Sequence, residues 1–225
     1  MSFNLKGQLR AENTHPEPTP ADLLRRKFDP ANHRHAANER TSPMLAITSV
    51  LSAPHAARIN RIIKSLEQEF GLDDVQATPD PHITYQLAGV AKRAALVEVL
   101  AKVARQTQPF AAFTTGLGVF PGPSPTIYIP VLRSEALNAL HRRILAATAP
   151  LCLRTDKFSG PDCWLPHISL ALHDTTPDLL GEVLRYLNEQ TFNLKFQIDS
   201  LAIMEQQGEL YLRQEEFRFA ESVPA

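Results

Sequence analysis

The sequence predicts an α+β fold of two similar lobes of mainly antiparallel sheet, with helices packed outside and a central cleft. The order strand, helix, histidine-bearing strand, helix, strand, strand occurs twice along the chain, and such repetition indicates a duplicated unit. The two histidine-bearing strands also open with nearly the same four residues. In addition, no glycine-rich phosphate loop follows a predicted strand, which argues against a parallel nucleotide-binding fold.

The first elements of the domain follow from apolar spacing and from glycine and proline. A short apolar run, residues 45–51, predicts a strand. Pro54 then opens a helix whose apolar residues recur at helical spacing, and Gly71 ends it. Residues 82–87 predict the first histidine-bearing strand, and an apolar stripe over residues 96–103 predicts a second helix.

The rest of the domain is predicted from the same kinds of pattern. Gly116 and Gly118 indicate a bend or bulge within a long strand. The remaining predicted elements are that strand at 110–120, a strand at 126–131, a helix at 137–145, an irregular segment at 152–165, a strand at 167–172, a helix at 180–187 and a closing hairpin of 192–204 and 210–219.

Residues 1–43 differ in composition from the rest of the chain. Prolines punctuate this segment, and its apolar residues show no sustained period. We predict a proline-rich, partly irregular N-terminal arm at 1–43, with one short helix around Leu23 and Phe28, and a bilobed domain at 44–225. The basic cluster at residues 25–35 is interpreted as a solvated part of the arm, and the alternative is that it holds an RNA backbone.

Composition and charge exclude several classes of function. The 225 residues are 44% hydrophobic and 21% charged with a formal net charge of -1, so no global basic field points to long duplex nucleic acid. A small substrate or a strand end suits this balance better. Neither a signal peptide nor a membrane span is predicted. Cys152 and Cys163 are predicted to be free thiols, which favours the cytoplasm.

One tetrapeptide occurs twice and carries the chemistry that we predict. Pro81-His82-Ile83-Thr84 recurs as Pro166-His167-Ile168-Ser169. Side chains alternate along a strand, so each copy presents one imidazole and one hydroxyl on one face, while the isoleucine points into the core. If a pseudo-twofold axis relates the lobes, the two pairs converge on one cleft.

Two imidazoles and two hydroxyls suit a phosphodiester. One neutral histidine can take a proton from the attacking oxygen, and the other, protonated, can give one to the leaving oxygen. The sequence leaves open which of His82 and His167 is acid and which is base. Thr84 and Ser169 can donate to the non-bridging phosphate oxygens. A zinc site would need three or four ligands at suitable spacing, so neither a metal nor a cofactor is predicted.

These motifs resemble the two-histidine phosphoesterase superfamily and, within it, the RNA 2′,3′-cyclic phosphodiesterases, also called 2′-5′ RNA ligases. The resemblance includes the opening strand at 45–51 and the Gly-x-Gly-x-Phe segment at 116–120. It implies a bilobed fold, no metal, and a catalytic tetrad of His82, Thr84, His167 and Ser169. It also implies 2′,3′-cyclic phosphates or 2′,5′-linked oligonucleotides as substrates, with ligation as the reverse reaction.

Three further residues are candidate substrate contacts. Trp164 and Tyr128 could stack on a base, and Lys157 could bind a phosphate. For Trp164 core packing is the favoured interpretation and stacking is the alternative, and Tyr85 is expected to point into the core. The histidines outside the two motifs are predicted to be structural or exposed, with His173 as a candidate for the cleft rim.

The predicted partner is an RNA terminus or a small nucleotide phosphodiester, with no membrane and a monomer favoured. A second hypothesis is an RNA-end or nucleotide binding module with the same fold and no turnover. A third is an enzyme for another small phosphodiester, such as an ADP-ribose cyclic phosphate or a carrier-linked ester.

Overall fold

The computed structural model describes residues 44–220, in which the chain forms ten strands and four α-helices. The predicted arm at 1–43 lies outside the described residues. The helices are α1 (Ala53–Phe70), α2 (Arg93–Arg105), α3 (Glu135–Thr148) and α4 (Pro177–Leu187). The strands are β1 (Met44–Val50), β2 (His82–Val90), β3 (Phe110–Phe113), β4 (Gly118–Phe120), β5 (Thr126–Pro130), β6 (Cys152–Thr155), β7 (His167–Ala171), β8 (Lys195–Ile198), β9 (Ser200–Gln207) and β10 (Leu210–Arg218).

The strands form two antiparallel sheets with equivalent centres. The first sheet has the order β10-β9-β1-β2-β6. The second contains β4-β5-β7, and the chain between β3 and β4 adds the β3-β8 pair through a bridge from Thr114 to Val131. The trios β9-β1-β2 and β4-β5-β7 correspond to each other, because β4 of the first half pairs with β5 and β9 of the second half pairs with β1. The predicted α+β fold with a duplicated antiparallel core is therefore confirmed.

The strand pairing of the two sheets shows the same irregularity at equivalent residues. In the first sheet Thr48 pairs with Thr84 but Ile47 pairs with Gln86, so Tyr85 is the extra residue of a β-bulge. In the second sheet Tyr128 pairs with Ser169 but Ile127 pairs with Ala171, so Leu170 is the extra residue. A bulge bends its strand and re-aims neighbouring side chains. Each histidine-bearing strand therefore bends directly after its motif hydroxyl.

The first helix of each half packs on the sheet of the other half. Helix α1 follows β1 but contacts β7, and α3 follows β5 but contacts β2. Arg58 of α1 donates a hydrogen bond to the carbonyl of Thr191, at 2.6 Å. Helix α2 packs on β10 and on α3. This exchange ties the two sheets together.

Local sequence signals account for where the helices begin and end. Pro54 lies in the first turn of α1, and Gly71 closes it in the left-handed conformation with φ 71°. Such a conformation favours glycine because it lacks a Cβ. Ser134 and Thr176 accept hydrogen bonds from the first turns of α3 and α4, which satisfies backbone donors that have no partner within the helix.

One apolar core runs through both lobes. It includes Ile83 from the first motif and Ile168 from the second, both 0% exposed. Burial of apolar side chains is the main favourable term in folding, so this shared core stabilises both lobes together.

Across residues 44–220, no helix is both long and apolar enough to span a bilayer.

Three predicted segments need correction. The strand predicted at 110–120 is broken between β3 and β4, where Gly116 has φ 61°. The strand predicted at 192–204 is divided, because β8 joins β3 in one lobe and β9 joins β1 in the other. The segment predicted as irregular, 152–165, contains β6 at the edge of the first sheet. A short strand with mostly exposed side chains gives no apolar pattern to find.

Candidate active site

The two motif strands start in the same way. The carbonyl of Pro81 accepts from the N–H of Leu51, at 2.9 Å, and the carbonyl of Pro166 accepts from the N–H of Val131, at 3.0 Å. Both donors directly follow the neighbouring antiparallel strand. The proline needs no ladder partner for its nitrogen at this first position. Strands β2 and β7 also lie close to each other.

The motif side chains alternate as the sequence predicts. His82 and Thr84 are half-buried, as are His167 and Ser169. The isoleucine between each pair is buried in the core. Each strand therefore presents one imidazole and one hydroxyl on its partly open face. Whether these four groups act on substrate stays a prediction.

Both imidazoles make the same tautomer-fixing hydrogen bond. The Nδ1 atom of His82 lies 2.8 Å from the carbonyl oxygen of Asp80, and that of His167 lies 2.7 Å from the carbonyl oxygen of Leu165. A carbonyl oxygen only accepts, so Nδ1 is the donor in each case. When the ring is neutral, its proton is therefore on Nδ1 and its lone pair is on Nε2. This holds for both histidines.

Burial lowers the pKa of His82 below its ordinary value, because desolvation disfavours the charged ring. The hydrogen bond to the Asp80 carbonyl and the charge of the Asp80 carboxylate act in the opposite direction but do not cancel this effect. His82 is therefore neutral at pH 7. A neutral imidazole with its lone pair on Nε2 can accept a proton.

Aromatic rings form a wall around His167. Phe120 meets His167 edge-on at 5.1 Å, and Tyr128 lies 5.1 Å from the same ring. Phe120 and Tyr128 also stack on each other at 4.1 Å. Gly118 makes room for this wall, because a Cβ at Gly118 would overlap the Tyr128 ring. Gly118 is thus required for packing, and the bend that the sequence predicted belongs to Gly116.

Phe120 was not singled out by sequence reasoning as a site residue. The sequence signal for Phe120 is its position in the Gly-x-Gly-x-Phe segment, two residues after Gly118. Gly118 leaves space for the ring of Tyr128, which stacks on Phe120. Tyr128 is only 8% exposed, and burial raises the pKa of its phenol. Its proposed contact with substrate stays a prediction.

Trp164 lies in the core and not at an open stacking surface. It is 4% exposed, and its ring stacks on His141 at 3.9 Å and on Tyr85 at 5.7 Å. Neighbouring rings cover the indole, as the favoured core-packing interpretation of Trp164 predicts, so the structure does not support the alternative of stacking on a base. The Nε1–H of Trp164 donates to the carbonyl of Thr84 at 2.8 Å, so the indole contacts the backbone of the first motif.

The other candidates lie around this centre. Lys157 is exposed, with its ammonium group 4.9 Å from the Phe158 ring, and its contact with a phosphate stays a prediction. Tyr85 is buried as expected, with its hydroxyl 2.9 Å from Ser49 Oγ. His173 follows the end of β7 and has φ 65°, so strand alternation does not extend to it.

Two other clusters lie away from the motifs. A cavity of about 330 Å³ opens between α1 and α4, and none of its lining residues belongs to either motif. Asp73, Asp74 and Asp174 bring their carboxylates within 4.8 Å of one another. Asp174 accepts from the backbone N–H groups of Asp73 and Asp74, at 2.7 and 2.9 Å. This carboxylate therefore ties two loops together.

A two-lobed α+β fold with a His-x-Thr or His-x-Ser strand in each lobe is the architecture of the two-histidine phosphoesterases. The family model described as the 2′-5′ RNA ligase superfamily matches residues 52–210. The chain belongs to this superfamily. A protein of Oceanobacillus iheyensis that is named as a phosphoesterase is 29% identical over 131 residues, which cover 56% of this chain and 71% of the relative.

Solved structures show the same fold. The chain is similar to TT0787 of Thermus thermophilus, with a TM-score of 0.59 and 19% identity over 80% of this chain and 100% of that one. It is also similar to LigT of E. coli complexed with 3′-AMP, with a TM-score of 0.52 and 13% identity over 80% of this chain and 98% of LigT. LigT complexed with NADP+ gives a TM-score of 0.51 at 15% identity, over 80% of this chain and 99% of LigT.

Proposed function

We propose that this protein is a metal-independent phosphodiesterase that opens 2′,3′-cyclic phosphates at RNA or nucleotide ends. The same site would act on 2′,5′-linked oligonucleotides and, in reverse, join such ends. The observation that carries this proposal is the duplicated imidazole geometry, in which both histidines donate through Nδ1 to the carbonyl two residues upstream. Each ring thus uses Nε2 for proton transfer.

The proposed reaction needs one proton acceptor and one proton donor. His82, whose pKa is lowered by burial, takes a proton from the attacking water. The water oxygen bonds to phosphorus as the bond from phosphorus to one ribose oxygen breaks. His167, protonated, gives its proton to that leaving oxygen, so the product is a phosphate monoester.

The motif hydroxyls supply the remaining positioning. Thr84 and Ser169 lie on the same strand faces as the histidines and donate to the non-bridging oxygens, where charge develops. The Phe120–Tyr128 wall holds the His167 ring and excludes water from one side. Such positioning and electrostatics are most of what phosphoryl transfer requires of a protein.

The substrate class is supported by the structural relatives. LigT has been crystallised with 3′-AMP and with NADP+, and both are nucleotides that carry phosphate on or near ribose. We propose nucleotide ends as substrates of the present chain as well, whose net charge of -1 suits a strand end better than a long duplex. The thiols of Cys152 and Cys163 are free, which fits the proposed cytoplasmic location.

Turnover of a 2′,3′-cyclic nucleotide in excess chelator tests the proposal. We expect hydrolysis that chelator does not reduce, and we expect the double variant His82→Ala/His167→Ala to lose at least about 10²-fold in kcat. Turnover that chelator abolishes, or that survives in the double variant, would contradict the proposal.

The same samples distinguish the alternative functions. A binding module would bind the nucleotide without forming product, and the double variant would bind it about as well as the parent chain. An enzyme for another phosphodiester would be inactive here but would turn over an ADP-ribose cyclic phosphate or a carrier-linked ester. The rate of the proposed enzyme should follow a bell between roughly pH 5 and 8, since one histidine must be neutral and the other charged.

A further inference from the structure

A single indole connects the two motifs. The Nε1–H group of Trp164 donates to the carbonyl oxygen of Thr84 across 80 positions of sequence, at 2.8 Å. Thr84 belongs to the first motif, and Trp164 lies three residues before His167 of the second. One hydrogen bond therefore joins the backbone of one motif strand to the approach of the other.

Thr84 lies directly before the bulge in β2. The pairing of β1 with β2 skips Tyr85, so the ladder is interrupted directly after Thr84. A bulge takes local backbone groups out of regular pairing, and a buried carbonyl without a partner is costly. The indole N–H of Trp164 provides a donor for the Thr84 carbonyl.

Neighbouring groups hold the indole in place. His141 stacks on it at 3.9 Å, and the guanidinium of Arg133 lies 5.6 Å from the ring centroid. Arg133 also donates to the carbonyls of Trp164 and Pro161, at 3.1 and 3.0 Å. These contacts fix both the ring and its backbone, so the indole acts as a rigid spacer.

The duplication does not extend to this contact. The residue three positions before His82 is Pro79, which has neither a ring N–H nor a backbone N–H to donate. The first motif therefore has no equivalent hydrogen bond to the second motif strand from this position. A positional error of about 1 Å at a reacting centre can cost about 10²-fold in rate.

We propose that Trp164 is a positioning residue that sets the separation of the His82 and His167 motifs through its hydrogen bond to Thr84. This inference rests on the proposed function, because it assigns a task to that site. It also predicts a specific kinetic effect. Losing the N–H should lower kcat and leave KM nearly unchanged, because substrate binding is retained while the two imidazoles lose their alignment.

The chain has one tryptophan, so a tryptophan analogue incorporated during expression changes only this residue. Benzothienylalanine keeps the ring shape and replaces the N–H by sulfur, and 5-fluorotryptophan is the matched control because it keeps the N–H. We expect kcat to fall about 10-fold or more with benzothienylalanine, toward the loss known for small misplacements, and to stay within about twofold of the parent with 5-fluorotryptophan. Equal kcat in the two analogue proteins would overturn the inference.

A second readout does not depend on turnover. The NMR signals of the His82 and His167 imidazoles should both move in the benzothienylalanine protein relative to the 5-fluorotryptophan protein, because both motifs shift. Unchanged imidazole signals would overturn the spacer role. If the parent and fluorotryptophan proteins fail to turn over any cyclic nucleotide, the proposed function fails, and these signals still decide the role of Trp164.

The cavity between α1 and α4 carries a separate inference. It holds about 330 Å³ and is lined by Arg58, Arg61, Ile62, Ser65, Tyr186 and Gln190. Its volume lies within the range of about 300–1,000 Å³ that is usual for small-molecule sites. None of the lining residues carries a carboxylate, so the two guanidinium groups have no counter-charge in the lining.

The cavity wall is partly fixed before any ligand binds. Arg58 is anchored by its 2.6 Å hydrogen bond to the Thr191 carbonyl, and the Tyr186 ring packs edge-on against Phe70 at 5.4 Å. A guanidinium is planar and presents several N–H donors, a geometry that matches phosphate oxygens. From this geometry we infer that the cavity binds a phosphate group, outside the catalytic centre.

A titration of the isotope-labelled protein with inorganic phosphate tests this second site. The amide signals of Ser65 and Gln190 should move on titration, and Arg61→Gln should weaken that response about 10-fold. Arg61 is exposed, so its replacement should not disturb folding, and Arg105→Gln at the exposed end of α2 is the control. Movement confined to the His82 and His167 motifs, or an equal response in Arg61→Gln, would overturn this inference.

Discussion

At the scale of single residues, the site is two copies of one arrangement with different surroundings. His82 and His167 share the Nδ1 hydrogen bond to the carbonyl two residues upstream, and Thr84 and Ser169 share the position before a bulge. The surroundings differ because His167 lies in an aromatic wall. Two chemically equal rings in unequal environments can hold different protonation states, which acid–base catalysis requires.

Gly118→Ala should disturb the site through packing. The added Cβ would overlap the Tyr128 ring, so the ring must move away from Phe120 and His167. We expect a loss of about 1–3 kcal/mol in the free energy of unfolding and a lower kcat. Urea unfolding and turnover measure the two effects.

Gly122→Ala is the matched control for this substitution. A Cβ at Gly122 meets nothing within 4 Å, so its stability and turnover should stay near those of the parent chain. Equal behaviour of the two variants would contradict the role assigned to Gly118.

Acid should destabilise the fold through two histidines. Burial lowers the pKa of both His82 and His141 below the ordinary value. The unfolded chain therefore binds protons that the folded chain resists, so stability is fully present above about pH 6.5 and decreases as pH falls below it. We expect a lower free energy of unfolding at about pH 5.5 than at about pH 7.5, measured by urea unfolding.

His141→Gln tests which groups cause this decrease. One of the two histidines is then absent, so the difference in stability between the two pH values should become smaller. Burial raises the pKa of Asp174, and a raised carboxyl pKa adds stability as pH falls, so the comparison stops above the carboxyl range. A free energy of unfolding that rises toward pH 5.5 in the parent chain would contradict the prediction.

At the scale of elements, the predictable parts were those with a local cause. Helix α1 was predicted from its apolar spacing, Pro54 and Gly71, and all three are confirmed. Strand β6 was missed because its side chains are mostly exposed. The division between β8 and β9 was missed because pairing with two different sheets leaves no local signal in the sequence. Pairing with strands distant in sequence therefore determines β6 and the division between β8 and β9.

Gly181→Ala should stabilise helix α4. Gly181 is exposed in the middle of Pro177–Leu187, and an added Cβ there meets nothing within 4 Å. Alanine costs less backbone entropy than glycine in a helix, so we expect a gain of about 0.5–1 kcal/mol in the free energy of unfolding. A decrease, measured by urea unfolding, would contradict the exposed position of Gly181 in α4.

At the scale of the whole molecule, the two halves pack into one body with a shared core. Strands and helices of each half pack on the sheet of the other half, and one apolar core includes both motif isoleucines. The site could be predicted in part because its motif is repeated in the sequence. Core packing of Trp164 was the favoured interpretation, but the residues that cover its ring, among them Tyr85, could not be predicted because they are distant in sequence.

Unfolding should therefore occur in one step. Trp164 lies where the two motifs meet, so its fluorescence reports on the junction, while far-ultraviolet circular dichroism reports on all elements. We expect the two probes to give coincident urea transitions, as for a two-state domain. Loss of the tryptophan signal well before the dichroism signal would show that the lobes separate first.

The central claim is that two imidazoles act on one phosphorus atom, and a crystal structure with inorganic phosphate tests it most directly. We expect one phosphate between β2 and β7, with the Nε2 atoms of His82 and His167 both within hydrogen-bond distance of its oxygens. The hydroxyls of Thr84 and Ser169 should contact the same ion. A phosphate that touches only one ring, or two rings that open onto separate surfaces, would contradict the account.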